Sequence, residues 1–473
     1  MKDNKQMSKK LEADYLIAGS GAVGMAFADT LVMESDATTI IVDRYPKPGG
    51  HWNTAYPFVT LHQPSAFYGV SSEELGNRKI DTFGLNKGLQ ELASGAEVLA
   101  YYDRVMRNNL LPSGRVQYFP MCEYIGDSKF VSLITGEEYK VTPKKKLVDC
   151  TFLNTSVPST HTPNFTVADG VNLIPLNDLP KIKEKPDGFV VVGGGKTGID
   201  ACLWLLEQNV DPNNIKWIVS RDAWLIDRRN TQPSMEFFKE FMGAQAAQFE
   251  AVAQSTSVDD MFDRLEQGGA LVRIDTSVKP KMFHGATISP LELEELRKIK
   301  NVIRKGRVSS IEKDKIILAD GTIPTSTGMI HVDCSASAIP NLEIKPIFIE
   351  GVITPQTVRS YQPVFSAAFI AHVELAYEGD DKKNEICQVV PLPNHDTDWI
   401  KMLSVFMQNQ FNWSQDKELR KWLYNNRLEG FGKLVADRPR DNPEHEELLK
   451  RMKDSSFPAV MKLQQYIEEM DGK

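Results

Sequence analysis

Six glycines in two groups of three carry the clearest chemical reading in this 473-residue chain. Gly19, Gly21 and Gly24 stand in Gly19-Ser-Gly-Ala-Val-Gly24, and Gly193, Gly195 and Gly198 stand in Gly193-Gly-Gly-Lys-Thr-Gly198. Between a strand and a helix, such spacing lets the backbone approach a pyrophosphate, whose charge then sits at the helix N-terminus. Ala22 in the first group and Lys196 and Thr197 in the second share that phosphate-facing turn, and the glycine spacing before Lys196 rules out a P-loop. The residue closing the next strand sets the nucleotide. After the first group it is Asp43, which can accept hydrogen bonds from ribose hydroxyls. After the second the strand ends Val219-Ser220-Arg221 with no acid. A carboxylate there would repel a 2′-phosphate, whereas Ser220 and Arg221 would donate to it, with Arg228 or Arg229 as further cations. One adenine dinucleotide with free ribose hydroxyls and one phosphorylated dinucleotide are implied, and FAD with NADPH is the simplest pair.

Such glycines work only if strands and helices hold them. Asp14 to Ala18 predicts a buried strand, the apolar spacing to Met33 a helix, and Thr39 to Asp43 the next strand. Phe189 to Val192, a helix to about Gln208 and Ile215 to Val219 repeat that grammar. Each βαβ unit belongs to a parallel sheet covered by helices. Val116 to Tyr124, Phe130 to Ile134 and Leu147 to Thr151 read as an antiparallel meander with Lys144-Lys145-Lys146 as a solvated hairpin turn, and Arg307 to Ile323 as a second meander. The first meander ends in Val148-Asp-Cys-Thr and the second is followed by Val332-Asp-Cys-Ser, an echo that reads as two related crossing points. Pro363 to His372 reads as a strand end feeding a helix.

The fold class expected is α/β: two nested Rossmann-like dinucleotide-binding domains, parallel sheets with antiparallel meanders, plus a helical C-terminal region. Residues 11–165 form the first part of the FAD domain and 166–335 the NADPH domain with a helical insertion at 234–265. Residues 336–390 return to the FAD domain after about Pro340, and 391–473 form a helical cap. Phe238, Phe241, Met242, Phe249 and Met261 of the insertion, with Trp399 to Phe411 of the cap, are the expected substrate wall.

On these residues the chain resembles the two-dinucleotide flavoproteins, and within them the class B flavin-dependent monooxygenases. The resemblance covers roughly residues 13 to 375. Its most specific part is Asp43-Arg-Tyr-Pro-Lys-Pro-Gly-Gly-His-Trp52, similar to the family's stretch in which an acid-basic pair on the ribose precedes a Gly-Gly-x-Trp loop near the flavin. It implies that Asp43, Arg44, Gly50, His51 and Trp52 bind FAD. In Leu61-His-Gln-Pro-Ser65, Gln63 occupies the place of an active-site asparagine, so its amide is expected at the flavin edge. His62 is a candidate proton carrier near neutral pH, or else a buried histidine satisfied by the backbone. Gln362, before the helix at Pro363, resembles the segment aimed at the flavin ring, where a helix N-terminus favours negative charge. The phenylalanine-glycine-histidine signature expected around Val171 to Lys185 is absent.

The resemblance implies an NADPH-dependent monooxygenase that reduces FAD and uses O2 on a small organic substrate. The alternative is a reductase or dehydrogenase passing electrons to an acceptor other than oxygen. A net charge of −8 argues against a nucleic-acid partner. Five scattered cysteines offer neither a metal knuckle nor a redox dithiol. No metal is expected, and no run approaches the length of a membrane span, so a cytoplasmic enzyme is expected.

Overall fold

The computed structural model describes residues 8–153, 157–336 and 342–472. Pro340, where the sequence places the return of the chain, lies outside them.

The first strand runs Lys9–Ala18, five residues earlier than its apolar half suggests. Tyr15 to Ala18 are buried on both faces, as a central strand of a parallel sheet requires. It pairs in parallel with Thr39–Val42 on one side and Glu138–Asp149 on the other. Val116–Phe119 extends the sheet beyond Thr39–Val42, and Val352–Ile353 adds in parallel beyond Glu138–Asp149. One sheet thus draws strands from both sides of the second glycine unit, which is nested between them. The helices Ala22–Glu34 and Pro363–Ala376 pack together against it, Pro363–Ala376 buried nearly throughout.

The second sheet is wholly parallel, in the order Val302–Ile303, Ile215–Ile218, Gly188–Val192, Met329–Asp333, Leu173–Pro175. Beside it Val308–Ile311, Lys315–Leu318 and Gly321–Pro324 form the expected antiparallel meander, joined in parallel by Thr166–Val167. The excursion after Ser234 is a pair of helices, Phe238–Gln254 and Val258–Gln267. The C-terminal region is helical, and its Pro443–Asp471 packs along Phe238–Gln254. Among the described residues no helix is long and apolar enough to cross a membrane.

Three expectations are corrected. Val116–Phe119 is the parallel edge of the first sheet, and the meander is Cys122–Gly126, Lys129–Ser132 and Glu138–Asp149. The stretch from Pro363 is helical from its first residue, because Pro363 takes the N-terminal position where its missing amide costs nothing. The three lysines are no turn: they lie inside the twelve-residue strand Glu138–Asp149. The pairing there skips from Ala13 opposite Pro143 to Tyr15 opposite Lys146, a bulge that accommodates a proline unable to donate to the ladder. Lys144 and Lys145 consequently face solvent while Lys146 turns inward. Its ammonium meets Asp380 at 2.6 Å and Glu374 at 3.3 Å; Lys383 reaches Glu374 at 2.6 Å, and the Tyr15 hydroxyl donates to the same carboxylate.

That contrast is measurable. Removing Lys146 takes one of two ammonium partners from buried Glu374, which keeps Lys383, and leaves Asp380 part-exposed, so Lys146→Ala is expected to lower the unfolding free energy by about 1–3 kcal/mol. Lys144, whose contact to Glu12 is an exposed one at 3.6 Å, should tolerate alanine within about 0.5 kcal/mol. Equal denaturant midpoints for the two variants would return the lysines to a solvated turn.

Candidate functional site

The two glycine loops share one geometry. Gly19 and Gly193 adopt φ of +97° and +139°, open to glycine and strained for other residues. A Cβ on Gly24 would stand 2.0 Å from the Gly19 carbonyl oxygen, and one on Gly198 2.0 Å from that of Gly193. Gly21 and Gly195 cap the helices Ala22–Glu34 and Lys196–Glu207. The echoed sequence has a structural counterpart beside each loop. Cys150 donates its amide to Ala18 and Cys334 donates to Val192, at 3.0 and 2.9 Å. One residue before each cysteine, Asp149 accepts from the Thr151 amide and hydroxyl and Asp333 from those of Ser335, closing the same turn twice.

At the first loop, Asp43 is buried at its strand tip and accepts from the Ser20 amide at 2.5 Å, the Ser20 hydroxyl at 2.8 Å and the Tyr45 amide at 2.8 Å. Burial pushes its carboxyl up, and those donors oppose the shift. The Gly49–Gly50 turn crosses directly over this loop: Gly49 donates to the Ser20 carbonyl, and a Cβ on Gly50 would come within 2.9 Å of the Gly21 Cα. His51 stacks on Trp52, whose indole donates to the Tyr68 hydroxyl at 2.8 Å. Arg44 is exposed and ion-paired to Glu123 on the neighbouring meander. Backbone bare of side chains at a helix N-terminus, beside a carboxylate at the strand tip, fits an adenine dinucleotide with free ribose hydroxyls.

The second loop opens onto a cavity of about 830 Å³ lined by Gly193 to Thr197, Ser220 and Arg221. Nothing stands within 4 Å of where a Gly195 side chain would project, so the helix N-terminus faces open space. Arg221 donates to the Asn394 side-chain oxygen at 2.8 Å, and His284 shares that oxygen at 3.1 Å. Arg307 lines the same wall; burial, then this second cation, lowers the Arg221 guanidinium. These groups fit a phosphorylated dinucleotide. Sequence reasoning missed His284, Arg307 and Asn394, which lie 63 to 173 residues beyond Arg221 and belong to no motif. Lys196 is ion-paired to Asp200, one turn on, and Asp200 accepts from the Tyr56 hydroxyl at 2.5 Å.

Arg228 and Arg229 do not join the cations of this cavity. Arg229 is committed to Asp227 at 2.6 Å. Arg228 is fully buried, donating to the His62 carbonyl, Thr287, Asn86 and Glu292 at 2.7–3.2 Å. The segment it grips separates two cavities: His62 lines the first and Gln63 a second, of about 880 Å³. Gln356 and Thr357 likewise line the first, while Arg359 and Gln362 line the second. The helices Phe238–Gln254 and Asp398–Gln415 wall the second cavity through Phe241, Met242, Phe249, Trp399 and Phe406, bringing together the insertion and the cap. Gln362 is buried at the N-terminus of Pro363–Ala376. Cys150, Cys202, Cys334 and Cys387 are free thiols that burial pushes well up, so none is held as a thiolate.

No family model matches the chain. It is 49% identical over 430 residues to an uncharacterized protein of Mycobacterium tuberculosis and equally to one of Mycobacterium bovis, the match covering 91% of this chain and 79% of each of those. Among solved structures it is similar to the open crystal structure of cyclohexanone monooxygenase, with a TM-score of 0.45 at 14% identity, covering 80% of this chain and 92% of that one. It is also similar to a bacillithiol disulfide reductase from Staphylococcus aureus, with a TM-score of 0.44 at 13% identity, covering 78% and 100%.

His62 resolves toward the neutral form. Burial, then the Lys196 and Arg228 charges, lowers its imidazole to about 3, and its Nδ1 accepts from the Thr287 amide. Unfolded, the same ring titrates near 6.5. As pH falls through 6.5 the unfolded chain therefore takes up a proton that the folded chain refuses down to about 3. His62 thus costs stability over that window, at no more than about 1.4 kcal/mol per pH unit. Urea midpoints at pH 7 and pH 5 should fall closer together in His62→Gln than in the parent; an unchanged gap would place a charged imidazole at this position.

Proposed function

The chain belongs to the family of those uncharacterized mycobacterial proteins, and we propose that it is an NADPH-dependent flavoprotein oxidoreductase, with FAD at the first glycine loop and NADPH at the second. The observation that carries the reading is the convergence of the two cavities. One leads from the Gly193–Gly198 loop to His62, Gln356 and Thr357, and the other begins on the far side of the same two segments, at Gln63 and Gln362. A flavin held there would be reached by the nicotinamide from one side and by a substrate from the other.

FAD, when bound, supplies hydride acceptance and onward transfer to a substrate or to O2. The chain's own residues do the rest. Asp43 holds the ribose, and the N-terminus of Ala22–Glu34 holds the pyrophosphate. The Gly49–Gly50 turn and Trp52 cover the cofactor. Ser220 and Arg221 select the 2′-phosphate, with Gly193, Gly195, Lys196, Thr197 and Gly198 around the pyrophosphate. Gln63 offers an amide at the flavin edge, and the N-terminus of Pro363–Ala376, carrying Gln362, favours negative charge beside it. His62, uncharged, orients through the ring nitrogen left free by Thr287 and carries no proton near neutral pH. In this assignment residues 11–165 and 336–390 form the FAD domain, 166–335 the NADPH domain and 391–473 the cap.

Oxygenation of a small organic molecule is the finer reading, supported by the apolar walls of the second cavity, which would keep the reacting groups out of water. Electron transfer to another acceptor is its rival, and 18O2 separates them: label in the product supports oxygenation, and an unlabelled reduced acceptor supports transfer.

Purified protein should show flavin absorbance that NADPH bleaches without oxygen; a colourless protein would remove the proposal. Losing charge-assisted hydrogen bonds worth about 1.5–3 kcal/mol, Arg221→Ala should raise KM for NADPH roughly 10- to 150-fold and leave that for NADH nearly unchanged. Equal changes would take Arg221 out of the phosphate site.

A further inference from the structure

Along the strand Met282–Ile288 successive side chains meet different surroundings. Met282, His284 and Ala286 line the nucleotide cavity. Phe283 packs edge-on to Tyr361, and a Cβ on Gly285 would come within 2.3 Å of that ring. The alternation of the strand thus fixes the His284 imidazole on the wall that carries Arg221. There both side chains bond one atom, the Asn394 side-chain oxygen, which lies 2.8 Å from Arg221 and 3.1 Å from His284. Arg221 can only donate, so the shared atom is an acceptor, and the ring nitrogen facing it, Nε2, carries a hydrogen. Nδ1 has no partner among the described residues. Asn394 is exposed, which makes its oxygen the replaceable member of the three.

Two N–H donors converging on one acceptor, one of them a guanidinium, suit an oxyanion better than a neutral amide. Arg307 adds a second guanidinium to the same wall, exposed and without an ion pair among the described residues. The remaining titratable groups around His284 are Asp398 behind Asn394, His395 on the same strap, Glu343 on the cavity wall, and Lys281 on its own strand, 3.6 Å from Asp396. Burial lowers the imidazole from its ordinary value; the Asn394 bond opposes this, Arg221 adds to it and Asp398 opposes it again. With only the amide before it, the ring is neutral above neutral pH. A phosphate dianion in the place of that amide reverses the balance, because an adjacent negative charge favours the protonated ring.

We propose that His284 sets the preference for a phosphorylated dinucleotide by binding the 2′-phosphate as imidazolium, so that one proton from solvent enters on Nδ1 together with the nucleotide. The phosphate oxygen takes the place of the Asn394 oxygen, between Arg221 and Nε2. A nucleotide without that phosphate leaves the ring neutral. The assignment rests on the reading of the second loop as an NADPH site and makes no use of the flavin.

Calorimetric titration of the full-length protein with adenosine 2′,5′-bisphosphate and with 5′-AMP, in HEPES and in Tris at pH 7.5, counts the protons. A phosphate monoester takes its second proton only near about pH 6, so at this pH the ligand can release protons and cannot take them up. The bisphosphate is expected to bind with uptake of about half a proton or more, and 5′-AMP with none. Its advantage over 5′-AMP should fall at least threefold from pH 7 to pH 8. His284→Gln keeps a donor and cannot be protonated, so the uptake should vanish and the advantage should scarcely vary with pH, while 5′-AMP binds as before. Absence of uptake in a parent protein that still prefers the bisphosphate overturns the role of His284 and leaves the NADPH site standing. Undiminished uptake in His284→Gln overturns that role as well, by placing the proton elsewhere. Equal affinity of the parent for the two ligands removes the NADPH site itself.

Discussion

The architecture turns on one guanidinium. Arg228 is sealed from solvent with donors spent on four partners from three stretches of chain: the His62 carbonyl and Asn86 on the first unit's side, and Thr287 and Glu292 on the second's. A buried ion pair contributes little net stability over apolar packing, but it enforces one arrangement, because every alternative strands a charge. The arrangement enforced is the position of the segment that parts the two cavities. A second tie lies nearby, where Tyr56 donates to Asp200 and Phe58 stacks on Trp204 with ring centroids 5.0 Å apart. Both ties join loops that follow the first glycine unit to elements of the second.

The two loops share a backbone geometry and differ in access. Asp43 is buried beside the Gly49–Gly50 crossing and bonded to Ser20 and Tyr45, with acceptor capacity left over, whereas Ser220 is exposed on the wall of an open cavity. Under the proposed assignment, a nucleotide at the first loop would leave only past packed backbone, whereas one at the second would exchange through open space, as a resident cofactor and a diffusing cosubstrate would require.

Both βαβ units were legible in the sequence because their signals are local: buried apolar strands, glycines at a required turn, and an acid or its absence at the next strand tip. The helical wall was legible from periodicity. What could not be read depended on long-range pairing. Lys146 turns inward across a register shift beside Pro143 that only the pairing with the first strand reveals. Arg228 looks like a second phosphate ligand until Glu292 and the His62 carbonyl, 64 and 166 residues away, claim it. The parallel ribbon of Ala223–Asp227 with Met282–Ile288, which carries Arg228 and His284 into place, pairs segments more than fifty residues apart and leaves no periodic trace.

Asn394 joins two parts of the molecule that would otherwise act separately. Its side chain is held by Arg221 and His284 in the nucleotide cavity, while its amide and that of His395 donate to Asp398, at the start of the helix that walls the second cavity. If the proposed assignment holds, a 2′-phosphate taking Arg221 would free the oxygen that anchors this strap and so couple the two cavities through it. Thermodynamic reciprocity would then apply: by whatever factor the nucleotide altered affinity for a ligand in the apolar cavity, that ligand would alter affinity for the nucleotide.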